Sequence, residues 1–396
     1  MEHLALVQPP SPVTMISARQ SLTARVKRLA AEHGLDVAAV TTADAFPELS
    51  DTLEAHVAGG RVRGLDWFTA ERARFSTAPR NLQPSAVSIL SVGVAYWSVD
   101  PGKPDDGVPR GRIARYAWGV DYHDLLKTRM RAVHRAIEAL VGQPVEARHL
   151  VDTARIVDRA VAARAGLGWY GKNACIIVPG HGSWVLLGEL LLDLDLEPDA
   201  PLTRSCGRCR ICLDRCPTGA IVAPYTVETP RCLSFQTIEQ GGVIPPELRP
   251  LLGDWVFGCD VCQDVCPYTR AARPEIDPAF LPRTVENAYP SLHRLIAMGN
   301  AEFRDRYRGT PVTRAKRRGL ARNAAVALGN VGSEADVPVL AAVLRDHDEP
   351  LVRGHAAWAL ARLGGGDARH ALERRRHLEP EATVRLEIDE ALAAWS

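Results

Sequence analysis

The chain has 396 residues, 46% of them hydrophobic, and a formal net charge of +1 at pH 7. It is long enough for two or three domains with buried cores, and its balanced charge excludes a strongly basic nucleic-acid-binding composition. No apolar stretch reaches the length of a membrane span and no secretory signal pattern is visible, so we expect a cytoplasmic protein without membrane association.

The first 200 residues alternate between predicted helices and strands. Residues 1–14 are rich in proline and are predicted to form a flexible tail, and helical periodicity then runs from Ser17 to Glu32. The elements predicted next are the strands Val37–Thr42 and Val87–Tyr96, the helix Asp121–Leu140, the strand Val145–Leu150, the helix Asp152–Ala165, and the strands Ala174–Val178 and Ser183–Leu194. This alternation is typical of an α/β or α+β domain, which we place at residues 15–200.

Two segments of this domain carry polar groups at element boundaries. The segment Arg115–His123 precedes a predicted helix, and its aromatic, aspartate and histidine side chains could either cap that helix or line a pocket. Asp152 directly follows a predicted strand and suits an N-cap of the next helix, the interpretation that the pattern alone favours. The alternative is a functional carboxyl group at a strand–helix junction, where domains of this kind place their sites.

The segment Gly166–Asn173 matches the dinucleotide-binding pattern G-x-G-x-x-G and nearly matches a phosphate-binding P-loop. Both motifs need a strand before the glycines and a helix after them, whereas here a helix precedes and strands follow. We therefore exclude both. The remaining interpretation is a loop in which Gly168 lets the backbone approach a large ligand, with Lys172 and Asn173 as polar contacts.

Eight of the nine cysteines form two linked runs. The first run has the spacing C-x2-C-x2-C-x3-C-P, the bacterial signature for two [4Fe–4S] clusters, in which the fourth cysteine binds the other cluster. The second run lacks one cysteine, which Cys232 can supply. The predicted ligands are Cys206, Cys209, Cys212 and Cys266 for the first cluster, and Cys216, Cys232, Cys259 and Cys262 for the second.

Other uses of these cysteines fit less well. Disulfides need an oxidising compartment, and zinc sites favour paired C-x2-C units over three cysteines in a row. We therefore place a ferredoxin-like two-cluster domain at residues 201–275. Cys175 lies in an apolar run and is predicted to be a small buried hydrophobe that binds no cluster.

The C-terminal part contains an internal repeat. The segment Ala324–Gly332 recurs 32 residues later as Ala356–Gly364, and a degenerate third copy follows. Small residues at helical spacing and a fixed period predict stacked helix pairs, so we place a HEAT-like repeat domain at residues 311–396, after a helical linker at 276–310. An ordinary helical bundle is the alternative. A basic stretch from Arg304 to Arg322 is either a solvated face or a surface for phosphates.

Together these features resemble the epoxyqueuosine reductase family, cobalamin-dependent iron–sulfur enzymes that complete queuosine in tRNA. The resemblance covers about residues 17–396. It rests on the segments Arg115–His123, Val151–Thr153, Ala163–Asn173 and Arg231–Glu239, on both cysteine runs, and on the HEAT-like tail.

The resemblance implies an enzyme, an oxidoreductase that reduces epoxyqueuosine to queuosine at the wobble position of a tRNA anticodon loop, the final step of queuosine biosynthesis. It implies an N-terminal domain that binds cobalamin, used as cob(II)alamin and cob(I)alamin, and two [4Fe–4S] clusters that feed it electrons. Asp152 becomes the expected proton donor, with a raised pKa in a covered pocket. The residues expected to bind the cofactor are Arg115, Tyr116, Asp121, His123, Asp152, Gly168, Lys172, Asn173 and Ser234.

The expected partners are a tRNA with a GUN-type anticodon carrying epoxyqueuosine and a low-potential electron donor of the flavodoxin or ferredoxin class. We expect a monomer. The residues expected to bind tRNA are Arg314, Lys316, Arg317, Arg318 and Arg322. Three alternatives stay open at this point: a reductive dehalogenase-like enzyme that acts on a small molecule, a non-enzymatic iron–sulfur electron carrier with a docking repeat domain, and an RNA-binding protein whose clusters are purely structural.

Overall fold

The computed structural model describes residues 12–270, 272 and 277–395 of the chain. Most of the predicted tail at residues 1–14 lies outside the described residues. Helix α1 (Pro12–Glu32) begins earlier than the predicted Ser17, because proline is tolerated in the first turn of a helix. It ends as predicted, two residues before Gly34, whose positive φ of 77° suits a helix stop.

The N-terminal domain is built on a four-stranded sheet with the order β1-β2-β7-β4, in which every neighbouring pair is antiparallel. Of the two classes that the alternation allowed, this arrangement is α+β. After α1 the elements are β1 (Val37–Thr42), α2 (Pro47–Ala58), α3 (Ala70–Ser76), β2 (Ser88–Ala95), β3 (Arg112–Ile113), α4 (Tyr122–Val141), β4 (Ala147–Leu150), α5 (Asp158–Arg164), β5 (Trp169–Tyr170), β6 (Ile176–Ile177) and β7 (Val185–Leu192).

Helices cover both faces of this sheet. Apolar residues of α1 and α4, such as Val26 and Met130, pack with Val92 on one face. On the other face Val161 of α5 packs against Ile89 and Leu191. Strand β2 is therefore buried along its whole length, which explains its near-continuous apolar sequence. The arrangement brings the end of β4 close to the start of α4.

The second domain consists of short elements between cysteine-bearing loops. Its elements are α6 (Ile211–Arg215), β8 (Ile221–Ala223), β9 (Thr226–Val227), α7 (Leu233–Ile238), β10 (Trp255–Phe257) and α8 (Val261–Asp264). Strand β10 pairs in parallel with β3 of the N-terminal domain. The two domains are thus joined by backbone hydrogen bonds as well as by side chains.

The C-terminal part is helical, as the repeat predicts. It contains α9 (Val285–Ala288), α10 (Leu292–Ala297), α11 (Asn300–Tyr307), α12 (Lys316–Val331), α13 (Val337–Asp346), α14 (Pro350–Leu363), α15 (Gly366–Arg376) and α16 (Ala382–Ala393). The repeated segments lie on α12 and α14, which pack so closely that a Cβ on Gly329 would lie 2.9 Å from the Cα of Ala359. Within the described residues, no helix is long and apolar enough to cross a membrane.

Polar side chains of the repeat domain fasten it to the cysteine-rich domain. Arg322 is fully buried and donates to the carbonyl oxygens of Gln240 and Gly242 at 2.6 Å and of Gln236 at 2.7 Å. Asn323 donates to the carbonyl oxygens of Thr237 and Val256, both at 2.8 Å. These bonds connect α12 to carbonyl groups of α7, of β10 and of the loop that follows α7.

Replacing Arg322 with leucine should therefore destabilise the protein. Three carbonyl groups, of which that of Gln236 is buried, would lose their donor, and we expect the free energy of unfolding to fall by about 3 kcal/mol. The exposed neighbour Arg318 is the matched control, and its replacement with leucine should change stability by less than about 0.5 kcal/mol. Urea unfolding followed by circular dichroism measures both. Equal stability of the two variants would contradict this account of Arg322.

Candidate active site

Asp152 lies in a loop between β4 and α5. The prediction that a helix starts at Asp152 is wrong, because α5 begins at Asp158 and its N-cap is Val157. Asp152 has a positive φ of 41°, a conformation that aspartate tolerates better than most residues and that no helix start uses. The loop therefore presents the carboxylate toward the start of α4 and leaves its side chain 54% exposed.

The start of α4 carries a histidine between two aspartates. Asp121 is the N-cap and accepts a hydrogen bond from the backbone of His123 at 3.0 Å. Its Oδ1 also lies 2.7 Å from Nδ1 of His123, and Nε2 of the same ring lies 3.1 Å from Oδ2 of Asp152. The Tyr122 ring stacks on the imidazole at 4.2 Å. The segment thus both caps the helix and forms a site.

The charges in this row determine its protonation. Burial lowers the pKa of His123, but its hydrogen bonds to Asp121 and Asp152 outweigh that effect and raise the pKa to about 9. The bond from His123 also holds the pKa of Asp121 below its usual value. At neutral pH this arrangement is an imidazolium between two carboxylates.

The expected raised pKa of Asp152 is wrong for this structure. Burial would raise the pKa, but hydrogen bonds from His123 and Tyr122 and the charges of His123 and Arg314 outweigh it and lower the pKa. The side chain is also more exposed than a covered pocket would leave it. The proton of the His123–Asp152 pair is therefore held on the imidazole.

Arg115 and Tyr116 connect this site to the cysteine-rich domain. The backbone N–H of Arg115 donates to Oδ2 of Asp260 at 2.8 Å, and its guanidinium donates to Asp264 at 2.7 Å. Tyr116 packs between Tyr122 and Phe257, with both ring centroids 6.1 Å away. These two residues thus span the distance between α4 and the segment with the second cysteine run.

The glycines of the Gly166–Asn173 loop serve internal packing. A Cβ on Gly168 would lie 2.7 Å from the carbonyl oxygen of Ile177, and one on Gly166 would lie 2.2 Å from that of Ala200. A direct contact of Gly168 with a ligand stays a prediction. Lys172 donates to the carbonyl oxygens of Gly207 and Cys209, at 2.7 and 2.9 Å.

Asn173 turns toward the second cysteine run. It is buried, and its amide lies 3.5 Å from the carbonyl oxygen of Cys262. The loop therefore braces both cysteine runs, through Lys172 and Asn173 respectively. Direct contacts of these two residues with a cofactor stay a prediction. The same holds for Ser234, which is half-buried on α7 two residues after Cys232.

The predicted ligand cysteines form two groups in space. Burial raises the pKa of Cys212 to about 11, with Cys206, Cys266 and Cys209 adding to the rise, and these four thiols line one cavity. Burial raises the pKa of Cys259 to about 12, and the neighbouring thiols of Cys232 and Cys216 add to the rise. No three metal-binding side chains among the described residues are spaced to hold a single ion. A [4Fe–4S] cluster is larger than a single ion, so its ligands lie further apart than those of a single-ion site.

Cys175 lies beside the second group. Its thiol interacts with that of Cys262, and it is half-buried in contact with polar neighbours. Its prediction as a small hydrophobe in apolar packing is therefore corrected, because β6 begins only at Ile176 and the loop before it runs along the cysteine-rich domain.

Three of the five predicted RNA-binding residues are exposed. Arg314, Lys316 and Arg318 reach the surface, and the charge of Arg314 extends to Asp152. Arg317 and Arg322 are corrected. The Arg317 side chain is 9% exposed and pairs with Asp348 at 2.6 Å, and Arg322 is buried against backbone carbonyls.

The sheet contains a buried acid at its centre, Glu189, which was not among the predicted site residues. Glu189 of β7 lies opposite Ser91 of β2 and next to Leu150, and none of its carboxyl oxygens has a hydrogen-bond partner among the described residues. Burial, with the charges of Asp158 and Asp152, raises the pKa of Glu189 well above its usual range. The sequence signal that could have revealed this buried acid is a single acidic residue within an otherwise apolar strand.

Family models match three parts of the chain. The description "4Fe-4S double cluster binding domain" matches residues 205–269, "Epoxyqueuosine reductase QueG, DUF1730" matches residues 77–153, and "HEAT repeats" matches residues 313–393.

The chain is also similar to curated proteins over most of its length. The epoxyqueuosine reductase of Xanthomonas campestris pv. campestris is 39% identical over 344 residues, which cover 86% of this chain and 96% of that protein. The epoxyqueuosine reductase of Staphylococcus aureus is 38% identical over 338 residues, which cover 85% and 87%.

Two solved structures have the same fold as this chain. One is an epoxyqueuosine reductase with a tRNA-Tyr epoxyqueuosine-modified stem loop, with a TM-score of 0.88, 33% identity, and coverage of 94% of this chain and 98% of that one. The other, from Bacillus subtilis, has its aspartate-bearing catalytic loop swung out of the active site, a TM-score of 0.87, 32% identity, and coverage of 94% and 99%.

Proposed function

The chain belongs to the epoxyqueuosine reductase family, and from this premise we propose that it reduces epoxyqueuosine to queuosine at the wobble position of a tRNA anticodon loop. The observation that carries the proposal is the His123–Asp152 pair, linked through Tyr116 to two groups of four cysteines. The relative solved with an epoxyqueuosine-modified stem loop supports this class of substrate.

The residues near the pair fit a large cofactor rich in amide groups. The His123 and Asp152 side chains are 23% and 54% exposed, and Tyr116 beside them packs against Phe257 of the cysteine-rich domain. Exposed polar groups next to aromatic rings suit a large ligand that carries both amide groups and an extended ring. We assign Arg115, Tyr116, Asp121, His123, Asn173 and Ser234 to hold cobalamin. When bound, reduced cobalamin supplies the electrons that open the epoxide.

The proton comes from the His123–Asp152 pair. Converting an epoxide to an alkene takes two electrons and two protons, and the oxygen leaves as water. As negative charge develops on the substrate oxygen, Asp152 donates a proton that its Oδ2 receives from Nε2 of His123. Asp121 holds the imidazole at Nδ1 and keeps it in this orientation. Asp152 remains the proton donor, and His123 is its reservoir.

This role predicts a basic limb in the pH profile. His123 keeps its proton below about pH 9, because its pKa is raised to about 9, and loses it above that pH. Turnover with a chemical reductant should therefore fall as the pH rises through about 9. The variant His123→Gln should be slower and lack this limb. A wild-type rate that stays constant through this range would contradict the reservoir role.

The cysteines supply the electron path. We assign Cys206, Cys209, Cys212 and Cys266 to the first cluster and Cys216, Cys232, Cys259 and Cys262 to the second. The match to a double 4Fe-4S domain supports two clusters. The second group lies near the Tyr116 side of the site, as the charge of Asp260, next to Cys259, acts on Tyr116. Electrons then enter at the first cluster and leave from the second.

The RNA surface consists of Arg314, Lys316 and Arg318, near the start of α12. Single-stranded loops are bound by splaying a base into a pocket while cations hold the phosphates, and Arg314 lies close enough for its charge to act on Asp152. Binding of the RNA phosphates at these three residues would place a nearby unpaired base next to the carboxyl group of Asp152.

Replacing Arg314, Lys316 and Arg318 with glutamine should weaken binding of a tRNA stem loop. Each lost phosphate contact should lower the slope of log affinity against log salt by about 0.7–0.9, and affinity at low salt by several-fold. The control Arg135→Gln removes an exposed cation from α4, and its slope should match the wild type. Fluorescence titration at several salt concentrations measures both. An unchanged slope in the triple variant would refute this surface.

The substrate class is tested directly. Anaerobically purified protein with cobalamin and a reductant is incubated with an epoxyqueuosine-containing stem loop, or with a small halogenated aromatic compound. The proposal expects conversion of the RNA alone. Conversion of the small molecule without change in the RNA would favour a dehalogenase-like activity instead.

A further inference from the structure

The first cysteine group lies under an arginine-rich surface. Residues 203–215 contain four arginines, Arg204, Arg208, Arg210 and Arg215, and one acid, Asp214, and all five are exposed. Arg210 pairs with Asp214 only weakly, at 3.7 Å. Because the whole chain has a net charge of +1, this excess is a local feature. We call these four arginines the cluster-side patch.

The arginines of the patch are not needed to hold the backbone of the first cysteine run in place. Lys172 already satisfies the carbonyl oxygens of Gly207 and Cys209 from the inside. Cations that only balanced the thiolates would be most effective when buried against them, whereas these guanidinium groups extend into water. Their exposure points to a partner outside the chain.

Apolar side chains lie among the arginines. Ile211, Tyr225 and Tyr268 are 40%, 46% and 39% exposed, which is high for large apolar groups. Tyr225 has a positive φ of 69°, an uncommon conformation that directs the chain around this surface. An apolar centre with a polar, charged rim is the usual anatomy of a protein–protein interface.

A groove in this surface leads to the first cluster. It has a volume of about 400 Å³ and is lined by residues that include Trp169, Leu202, Arg204 and Tyr225. Trp169 packs in turn with Cys206 and Cys266, two proposed ligands of the first cluster. Its indole Nε1 is buried without a partner among the described residues. One aromatic ring thus separates the groove from the cluster.

We propose that the cluster-side patch docks a small acidic electron-carrier protein of the flavodoxin or ferredoxin class. This rests on the proposed function only in that both need reducible clusters. In each encounter one electron passes to the first cluster, which is reduced, while the carrier is oxidised, and no bond changes. Two encounters supply the two electrons of one turnover. RNA is the less suitable occupant, because its base must reach Asp152, and the exposed arginine whose charge acts on Asp152 is Arg314, outside the patch.

The test measures cluster reduction without RNA or cobalamin, so it succeeds or fails independently of the proposed function. Oxidised protein is mixed anaerobically with photoreduced flavodoxin, and bleaching of the clusters is followed by stopped flow. The double variant Arg208→Glu/Arg215→Glu reverses the patch, Arg208→Lys/Arg215→Lys keeps its charge, and Arg135→Glu reverses a distant exposed cation. Reduced methyl viologen, a small cation, reduces the clusters without docking.

We expect the reversed patch to lower the rate with flavodoxin at least about tenfold at low salt, and less at high salt. The lysine pair and Arg135→Glu should stay within about twofold of the wild type, and no variant should be slower with methyl viologen, because a reversed patch attracts this cation. An unchanged rate with flavodoxin would overturn the proposal. So would an equal loss with methyl viologen or an equal loss in the lysine pair. In a separate titration with a tRNA stem loop, a loss of affinity beside an unchanged rate with flavodoxin would assign the patch to RNA instead.

Discussion

Replacing Asp152 with asparagine should lower the rate of epoxyqueuosine reduction by about 10²–10⁴-fold, the contribution typical of a general acid. Asparagine keeps the shape of the side chain and a partner for His123, but it cannot take a proton from Nε2 and pass it on. Cobalamin and iron content should stay at wild-type levels. The measurement is single-turnover conversion of a stem loop, quantified by mass spectrometry of the nucleosides.

Asp124→Asn is the matched control for this variant. Asp124 lies in the first turn of α4, next to His123, and its side chain is exposed to solvent. The variant Asp124→Asn loses one negative charge close to the charge that Asp152→Asn loses. Its rate of epoxyqueuosine reduction should nevertheless remain within about twofold of the wild-type rate. Full activity of Asp152→Asn would eliminate Asp152 as the acid. Equal losses in both variants would indicate that only the local charge matters.

The second large effect is expected at Cys232. Cys232→Ala should lose about half of the iron, because the second cluster would lack one ligand, and turnover should become undetectable, since the electron path is broken. Iron analysis and electron paramagnetic resonance of the reduced protein measure the loss. The first cluster should keep its signal, because its four proposed ligands are unchanged.

Cys175→Ala is the control for Cys232→Ala. Cys175 is the ninth cysteine and lies beside Cys262, so it is the alternative fourth ligand of the second cluster. We expect Cys175→Ala to retain all of its iron. A variant Cys232→Ala with full iron, together with iron loss in Cys175→Ala, would exchange the roles of these two residues.

Patterns of local origin predict this fold well. The strand Val37–Thr42 was predicted with its observed bounds, and the repeats on α12 and α14 follow from small residues at a fixed period. Part of each cysteine group also follows from spacing, because Cys206, Cys209 and Cys212 lie close in sequence, as do Cys259 and Cys262. These features depend on neighbours along the chain, which a sequence displays directly.

Features that depend on distant contacts were less predictable. Asp152 matched a helix start, but tertiary packing put it in a positive-φ loop beside His123, where the hydrogen bond lowers its pKa. Arg322 matched a phosphate-binding stretch, yet it binds carbonyl groups 80 and 86 residues earlier in the chain. Neither partner is visible in the local sequence.

Dependence of the reaction on cobalamin distinguishes this cofactor-driven reduction from every alternative route to the product. Anaerobically purified protein with intact clusters is given an epoxyqueuosine-containing stem loop and a reductant, with and without cobalamin, and the nucleosides are weighed by mass spectrometry. The account predicts a product lighter by one oxygen atom only when cobalamin is present. Full conversion without cobalamin, or none in its presence with both clusters reduced, would contradict it.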